Sequence, residues 1–141
     1  EPYRRQRQMC IRDRDWLKRT GGLIYLPETR PDCMIYRLWH EGAELRKDCA
    51  GIPYPQGEEA SKPPAMVVAP CVGYAESCRR LGYGGGYFDR YLASYGNQRP
   101  LAVGVAFDEL RVPEEIFESF DEPLDAVVTE RRIILKAKAP L

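Results

Sequence analysis

The run Arg80-Leu81-Gly82-Tyr83-Gly84-Gly85-Gly86-Tyr87-Phe88-Asp89-Arg90 gathers the residue types and spacings most suited to chemistry in this sequence. Glycines let main-chain N–H groups turn toward one point with no Cβ in the way. A helix starting directly after them adds unpaired N–H groups and a partial positive charge. Such a turn cradles an anion, and phosphate suits it. Arg80 can add a planar fork of donors. Asp89, in the first helical turn, can hold a hard divalent cation beside the same phosphates. Two familiar motifs do not fit. A Walker A loop ends in Gly-Lys-Ser/Thr, whereas this turn ends in Gly-Tyr-Phe. The dinucleotide pattern G-x-G-x-x-G would need glycine at Tyr87.

The elements that must position this turn can be read on both sides of it. Trp16 to Arg19 reads as the last turn of a helix ended by Gly21-Gly22. Leu23 to Leu26 is a short apolar strand stopped by Pro27, and Met34 to Trp39 is a second strand rich in β formers. A polar stretch and a loop with Gly51, Pro53, Pro55 and Gly57 follow. Met66 to Ala69 is a third strand, closed by Pro70. After the glycines, Tyr87, Phe88, Tyr91, Leu92 and Tyr95 sit at helical spacing as far as Gly96. Leu101 to Phe107 reads as a buried strand and Pro113 to Phe120 as a short acidic helix. Ala126 to Val128 and Arg131 to Leu135 read as the last strands. Strands alternating with helices predict an α/β fold, a three-layer α/β/α arrangement on a largely parallel, mixed, Rossmann-like sheet.

Composition excludes several function classes. The chain of 141 residues is long enough for one domain and no second full core. Lys plus Arg equals Asp plus Glu at 21 each, so no bulk attraction to nucleic acid or anionic lipid is expected. No apolar run reaches membrane-spanning length. Five cysteines without a C-x-x-C pair, and the single histidine His40, do not spell a zinc site or a disulfide framework. Cys71 and Cys78 read as inert core thiols, and a reduced, cytoplasmic setting is the expectation. Residues 1–14 stand apart. They hold five arginines against two acids, +3, which leaves −3 for residues 15–141. They read as a basic tail or, because RQRQMCIRDR resembles translated adapter read-through, as a stretch foreign to the gene. Residues 15–141 read as a single domain.

RLGYGGGYFDRYL resembles the signature of the 5-formyltetrahydrofolate cyclo-ligase (methenyltetrahydrofolate synthetase) family. The likeness extends to Gly22-Leu23-Ile24-Tyr25-Leu26-Pro27, Leu38-Trp39 with Gly42, Gly51-Ile52-Pro53, Val67-Val68-Ala69-Pro70, Gly104-Val105-Ala106-Phe107 and Asp125-Ala126-Val127-Val128-Thr129-Glu130. The resemblance implies ATP- and Mg²⁺-dependent cyclisation of 5-formyltetrahydrofolate to 5,10-methenyltetrahydrofolate, with release of ADP and phosphate. By position it implies that Arg80, Leu81, Gly82, Tyr83, Gly84, Gly85, Gly86, Tyr87 and Phe88 bind ATP. Tyr83, Gly84, Gly85, Gly86 and Tyr87 would meet the folate, Arg80 and Tyr87 would act in catalysis, and Asp89 and Asp125 would hold Mg²⁺. The partners implied are these two small molecules, with no nucleic acid and no membrane, and a monomer is expected.

The sequence also departs from the family pattern. The family's opening basic helix, and a strand and helix after it, have no counterpart before Trp16, so an N-terminally truncated domain is expected. Tyr74-Ala75 stand where the family has Phe-Asp, Cys78 where it has glycine, and Leu110 where a glutamine is common. A non-catalytic nucleotide- or folate-binding relative therefore stands as the alternative. Asp125 can also be read as a strand-end cap, and Asp89 as a first-turn acid favoured by the helix dipole. Trp39 can pack in the core or stack on a pterin. His40 has no serine or cysteine placed to use it as a base.

Overall fold

The computed structural model describes residues 19, 21–82, 84–118 and 121–137. The centre is a four-stranded mixed sheet in the order β10-β9-β8-β5. Strands β5 (Met66–Pro70), β8 (Leu101–Val105) and β9 (Ala126–Val128) run parallel, and β10 (Ile133–Leu135) returns antiparallel. Their apolar, β-branched text suits strands covered on both faces. A hairpin of β1 (Ile24–Thr29) and β2 (Met34–Trp39) stands beside this sheet, paired from Ile24↔Trp39 to Thr29↔Met34. Small ladders join β3 (Leu45–Lys47) to β4 (Pro53–Pro55) and β6 (Gly73–Tyr74) to β7 (Arg80–Leu81). Helix α1 (Tyr87–Ala93) follows the glycine turn.

The α/β class and the mixed sheet agree with the sequence. The flanking layers are thin: apart from the helical Arg19, helix among the described residues is α1 and single 3₁₀ turns at Gly96–Gln98, Asp108–Leu110 and Glu114–Ile116. Helix α1 lies between two apolar clusters. Leu92 packs with Cys71, Tyr74, Ala102, Leu124 and Val127. Tyr87 and Phe88 pack on Met34, Tyr36 and Val67, and Tyr91 touches both clusters. The ring of Tyr91 meets Tyr36 at 5.0 Å and Tyr95 at 5.2 Å, a tilted and edge-on chain that ties the hairpin to the helix.

Several boundaries differ from the sequence reading. Strand β1 continues through Pro27, which pairs with Tyr36. Its one ladder partner is β2, so a missing N–H is tolerated there. Of the acidic helix expected at Pro113–Phe120, the described residues form a single 3₁₀ turn at Glu114–Ile116, and Phe117 is extended at φ −96°, ψ 148°. Glu114 spends its carboxylate on the Ser77 N–H (2.8 Å) and hydroxyl (2.6 Å), so docking to the 75–79 loop overrides local helix propensity. Helix α1 stops at Ala93, short of the expected Gly96. The stretch read as loop before Gly57 carries the β3–β4 ladder. At Gly57 itself the next strand approaches so closely that a Cβ would run into the Leu38 carbonyl. Of the first expected helical turn, Trp16 to Lys18 lie outside the described residues, as do residues 1–14 and 138–141.

Candidate functional site

The glycine turn links β7 to α1, and its shape follows from backbone angles that side chains disfavour. Gly84 has φ +89° and Gly86 φ +67°, the left-handed region that costs an ordinary residue about 1–2 kcal/mol. Gly84, Gly85 and Gly86 are exposed. Gly86 caps α1 with no side-chain hydrogen bond. The amides that open α1 therefore have no intrahelical partner and stay available to an anion. Tyr83 lies outside the described residues.

Two arginines brace this turn. Arg80 reaches back under it: its Nη2 donates to the Pro70 carbonyl at 2.8 Å, and its Cζ lies 4.8 Å from the Phe88 ring centroid. A Cβ on Gly82 would stand 2.8 Å from Arg80 Nη2. The expected fork of Arg80 is thus turned inward in this structure, with Nε buried and without a hydrogen-bond partner. Arg90 lies on the outside, its Nη1 donating to the Gly85 carbonyl at 2.7 Å and its Cζ 4.9 Å from the Tyr87 ring centroid. The Leu81 side chain packs near Gly73, where a Cβ would be 3.0 Å from Leu81 Cδ1. Leu81 and Phe88 therefore turn their side chains to packing and offer a ligand their main chain.

Asp89 is half-buried, and that burial pushes its carboxyl above the usual range. Arg80 and, more weakly, Arg90 oppose the shift, while Asp121 and Glu122 reinforce it. Burial and two acidic neighbours against two arginines leave a net penalty on the charged carboxylate. Mg²⁺ suits that donor set, because it takes one or two carboxylates and fills its remaining positions with phosphate and water. Among the described residues no three His, Cys, Asp or Glu side chains converge as a complete cation site.

Asp125 is occupied elsewhere. Its Oδ2 accepts the Ala102 N–H at 2.8 Å, its Oδ1 accepts Arg99 Nη2 at 3.1 Å, and Lys136 Nζ lies 3.8 Å from Oδ1. It ties the start of β9 to the start of β8, the strand-end role weighed above. Asp121 and Glu122 lie in the electrostatic neighbourhood of Asp89, and Asp121 Oδ2 accepts the Glu118 N–H at 2.7 Å; the sequence reading did not single out Asp121. Its spacing in the loop before β9 gives no periodic signal. What places it is tertiary: Arg79 Nε donates to the Asp121 carbonyl at 3.3 Å, and the Leu124 N–H donates to the Cys78 carbonyl at 2.8 Å. Arg90 was also legible only as part of the motif, with no role attached.

The loop leading into β7 carries the departures noted in the sequence. Cys78 takes φ +67°, a left-handed conformation at the position where the family resemblance has glycine. It is fully buried and its Sγ donates to the Ile134 carbonyl at 3.5 Å. Tyr74 is also fully buried, but its hydroxyl finds partners: it donates to the Asp108 carbonyl at 2.9 Å and accepts from Arg132 Nη2 at 3.2 Å. Arg132 in turn holds Asp108 Oδ1 and Glu76 Oε1, each at 2.8 Å. Leu110 packs against the first apolar cluster. The described cysteines Cys33, Cys49, Cys71 and Cys78 are free thiols. His40 is exposed, its Nδ1 3.0 Å from the Glu41 carbonyl oxygen.

Fold and site together define an α/β domain whose glycine-lined turn faces solvent beside the half-buried Asp89. Residues 6–130 match the 5-formyltetrahydrofolate cyclo-ligase family, and the chain belongs to that family. The match begins inside the arginine-rich opening. The chain is 31% identical over 124 residues to a 5-formyltetrahydrofolate cyclo-ligase of Escherichia coli K12, covering 83% of this chain and 68% of that protein. It is 25% identical over 150 residues to a probable 5-formyltetrahydrofolate cyclo-ligase of Schizosaccharomyces pombe, covering 94% and 72%. Its fold resembles the solved structure of Aquifex aeolicus 5,10-methenyltetrahydrofolate synthetase with a TM-score of 0.67 and 27% identity. That likeness covers 85% of this chain and 61% of the Aquifex chain.

Proposed function

We propose that this chain carries out the ATP-dependent cyclisation of 5-formyltetrahydrofolate to 5,10-methenyltetrahydrofolate, with release of ADP and phosphate. Family membership supports the reaction class. The single observation that carries the site is the exposed glycine turn, left-handed at Gly84 and Gly86, next to the half-buried Asp89. Phosphoryl transfer asks for positioning and charge neutralisation more than for a side-chain nucleophile. Main-chain amides of Gly82 and Gly84 to Phe88 hold the β- and γ-phosphates. The formyl oxygen of the folate attacks the γ-phosphate, N10 then attacks the activated formyl carbon, and phosphate leaves. Tyr87 lines the place where the pterin meets the γ-phosphate. Arg80 sits behind the turn, where its charge offsets that of the phosphates and of Asp89. Asp89 would hold Mg²⁺, with Asp121 proposed as its second carboxylate where the family resemblance implies Asp125; the ion when bound supplies charge neutralisation along the phosphates. The proposed setting is cytoplasmic, which suits the free thiols Cys33, Cys49, Cys71 and Cys78.

The test is direct. The chain is mixed with Mg-ATP and 5-formyltetrahydrofolate, and the near-ultraviolet absorbance of the methenyl product is followed. Product that requires both ATP and Mg²⁺ is the expected result. Binding of both ligands without product favours the non-catalytic relative, and binding of neither overturns both readings.

A further inference from the structure

The geometry points to Arg90 as a positioning residue of the phosphate turn: by holding the Gly85 carbonyl it aims the Gly86 N–H at the bound triphosphate. The inference rests on the ATP reading of this turn and deepens it. The argument starts from the peptide unit. A trans peptide is planar, and its C=O and N–H point in opposite directions. The Gly85 carbonyl and the Gly86 N–H belong to one such plane. Arg90 Nη1 donates to that carbonyl at 2.7 Å, a short charge-assisted bond of the stronger kind. The Gly86 N–H is thereby turned to the side of the plane opposite the guanidinium.

Glycine by itself would not hold this orientation. With no Cβ, Gly84, Gly85 and Gly86 leave the plane free to rotate, and rotation would put a carbonyl where an amide is needed. A carbonyl oxygen facing a phosphate repels it. The turn therefore needs a lock from outside the glycines, and Arg90 is built as one. Its guanidinium lies over the Tyr87 ring at 4.9 Å, which limits its swing. Its own N–H donates to the Gly86 carbonyl at 3.0 Å, so backbone and side chain of one residue grip successive carbonyls. The fit is close: a Cβ at Gly86 would come within 3.0 Å of Arg90 Nη1. Arg80 cannot do this work, because its Nη2 is spent on the Pro70 carbonyl under the turn.

Arg90→Met keeps the apolar stem and removes the donor, and Arg90→Lys restores one donor. The experiment measures dissociation constants for Mg-ATP and for 5-formyltetrahydrofolate on the full chain. It also follows the Gly86 amide by ¹H–¹⁵N correlation spectra as Mg-ATP is added. Arg90→Met should weaken Mg-ATP by about tenfold, leave the folate constant and the melting temperature unchanged, and lose the ATP-induced shift of the Gly86 amide. Arg90→Lys should recover most of both ATP readouts. Wild-type ATP affinity with an intact Gly86 shift in Arg90→Met overturns the assignment, as does an equal loss for ATP and folate. A wild-type chain that binds no ATP overturns the functional reading itself, so the two failures are distinct.

Discussion

Two groups of carboxylates serve the loops around β7, and their charges are handled in opposite ways. Asp108 and Glu76 both meet Arg132 at 2.8 Å, and Arg111 adds a second contact to Glu76 at 3.2 Å. The Arg132 guanidinium holds both carboxyls below their usual range. Asp89 is pushed the other way: burial raises it, and Asp121 and Glu122 add to the rise. The first group balances its charge within the chain, where it joins the 74–79 loop to the segments at 108–111 and 130–132. The second carries an excess that a bound cation would remove. Carboxylates that are similar by sequence are separated by whether the fold gives them an arginine in direct hydrogen-bond contact.

The sharpest way to break this contrast is Asp89→Asn. Turnover should fall by at least about a hundredfold, measured as kcat/KM for 5-formyltetrahydrofolate. The same substitution should raise the melting temperature of the metal-free chain at neutral pH. The sign follows from the raised carboxyl. Its stability contribution is fully present below the unfolded-state pKa and is lost as pH rises through the higher folded-state value. Asparagine keeps the uncharged state at every pH, so its advantage should close as the buffer is made acidic. A melting temperature that falls at neutral pH would place Asp89 with the balanced group.

Next in size is the comparison of the two later aspartates. Asp121→Asn should raise the Mg²⁺ concentration for half-maximal turnover by about tenfold. Asp125→Asn should leave it unchanged and instead cost about 1–2 kcal/mol in urea unfolding, since it weakens the ties to Arg99 and the Ala102 N–H. The reverse pattern would restore Asp125 to the cation. The smallest effect on chemistry is expected at Arg132→Met, with kcat held within about twofold. Its urea midpoint should drop at neutral pH. Asp108 and Glu76 have lowered folded-state pKa values, so the stability they contribute is present above the unfolded values and fades as pH falls. Wild type and variant should therefore converge in acid.

What the sequence made legible follows from how local each feature is. Met34–Trp39 and Ala126–Val128 were read with their observed bounds because β-branched and aromatic runs between turn residues announce themselves. The glycine turn was readable because the glycines stand in order between Arg80 and the aromatic pair Tyr87-Phe88 followed by Asp89, a pattern far more specific than glycines alone. The acidic helix at 113–120 was not, because Glu114 is bound to Ser77, a contact 37 residues away in sequence. Asp121 carried no signal for the same reason. Its place is set by Arg79 and by the Cys78 carbonyl, neither of which leaves a pattern around residue 121. Asp125 carried a family-like context and looked the better acid. In this structure its oxygens accept from Arg99 and from the Ala102 N–H at the start of β8.

The ties from Arg79 to the Asp121 carbonyl and from Cys78 to Leu124 also fix an order of assembly. Chains leave the ribosome from the N-terminus onward. The glycine signature emerges first and can close its turn from nearby residues alone. The acid proposed to join Asp89 emerges only afterwards. A nascent or clipped chain ending between α1 and Asp121 would carry every letter of the signature and still lack that proposed carboxylate. Detecting that motif in a truncated product is therefore no guarantee of a working ion site.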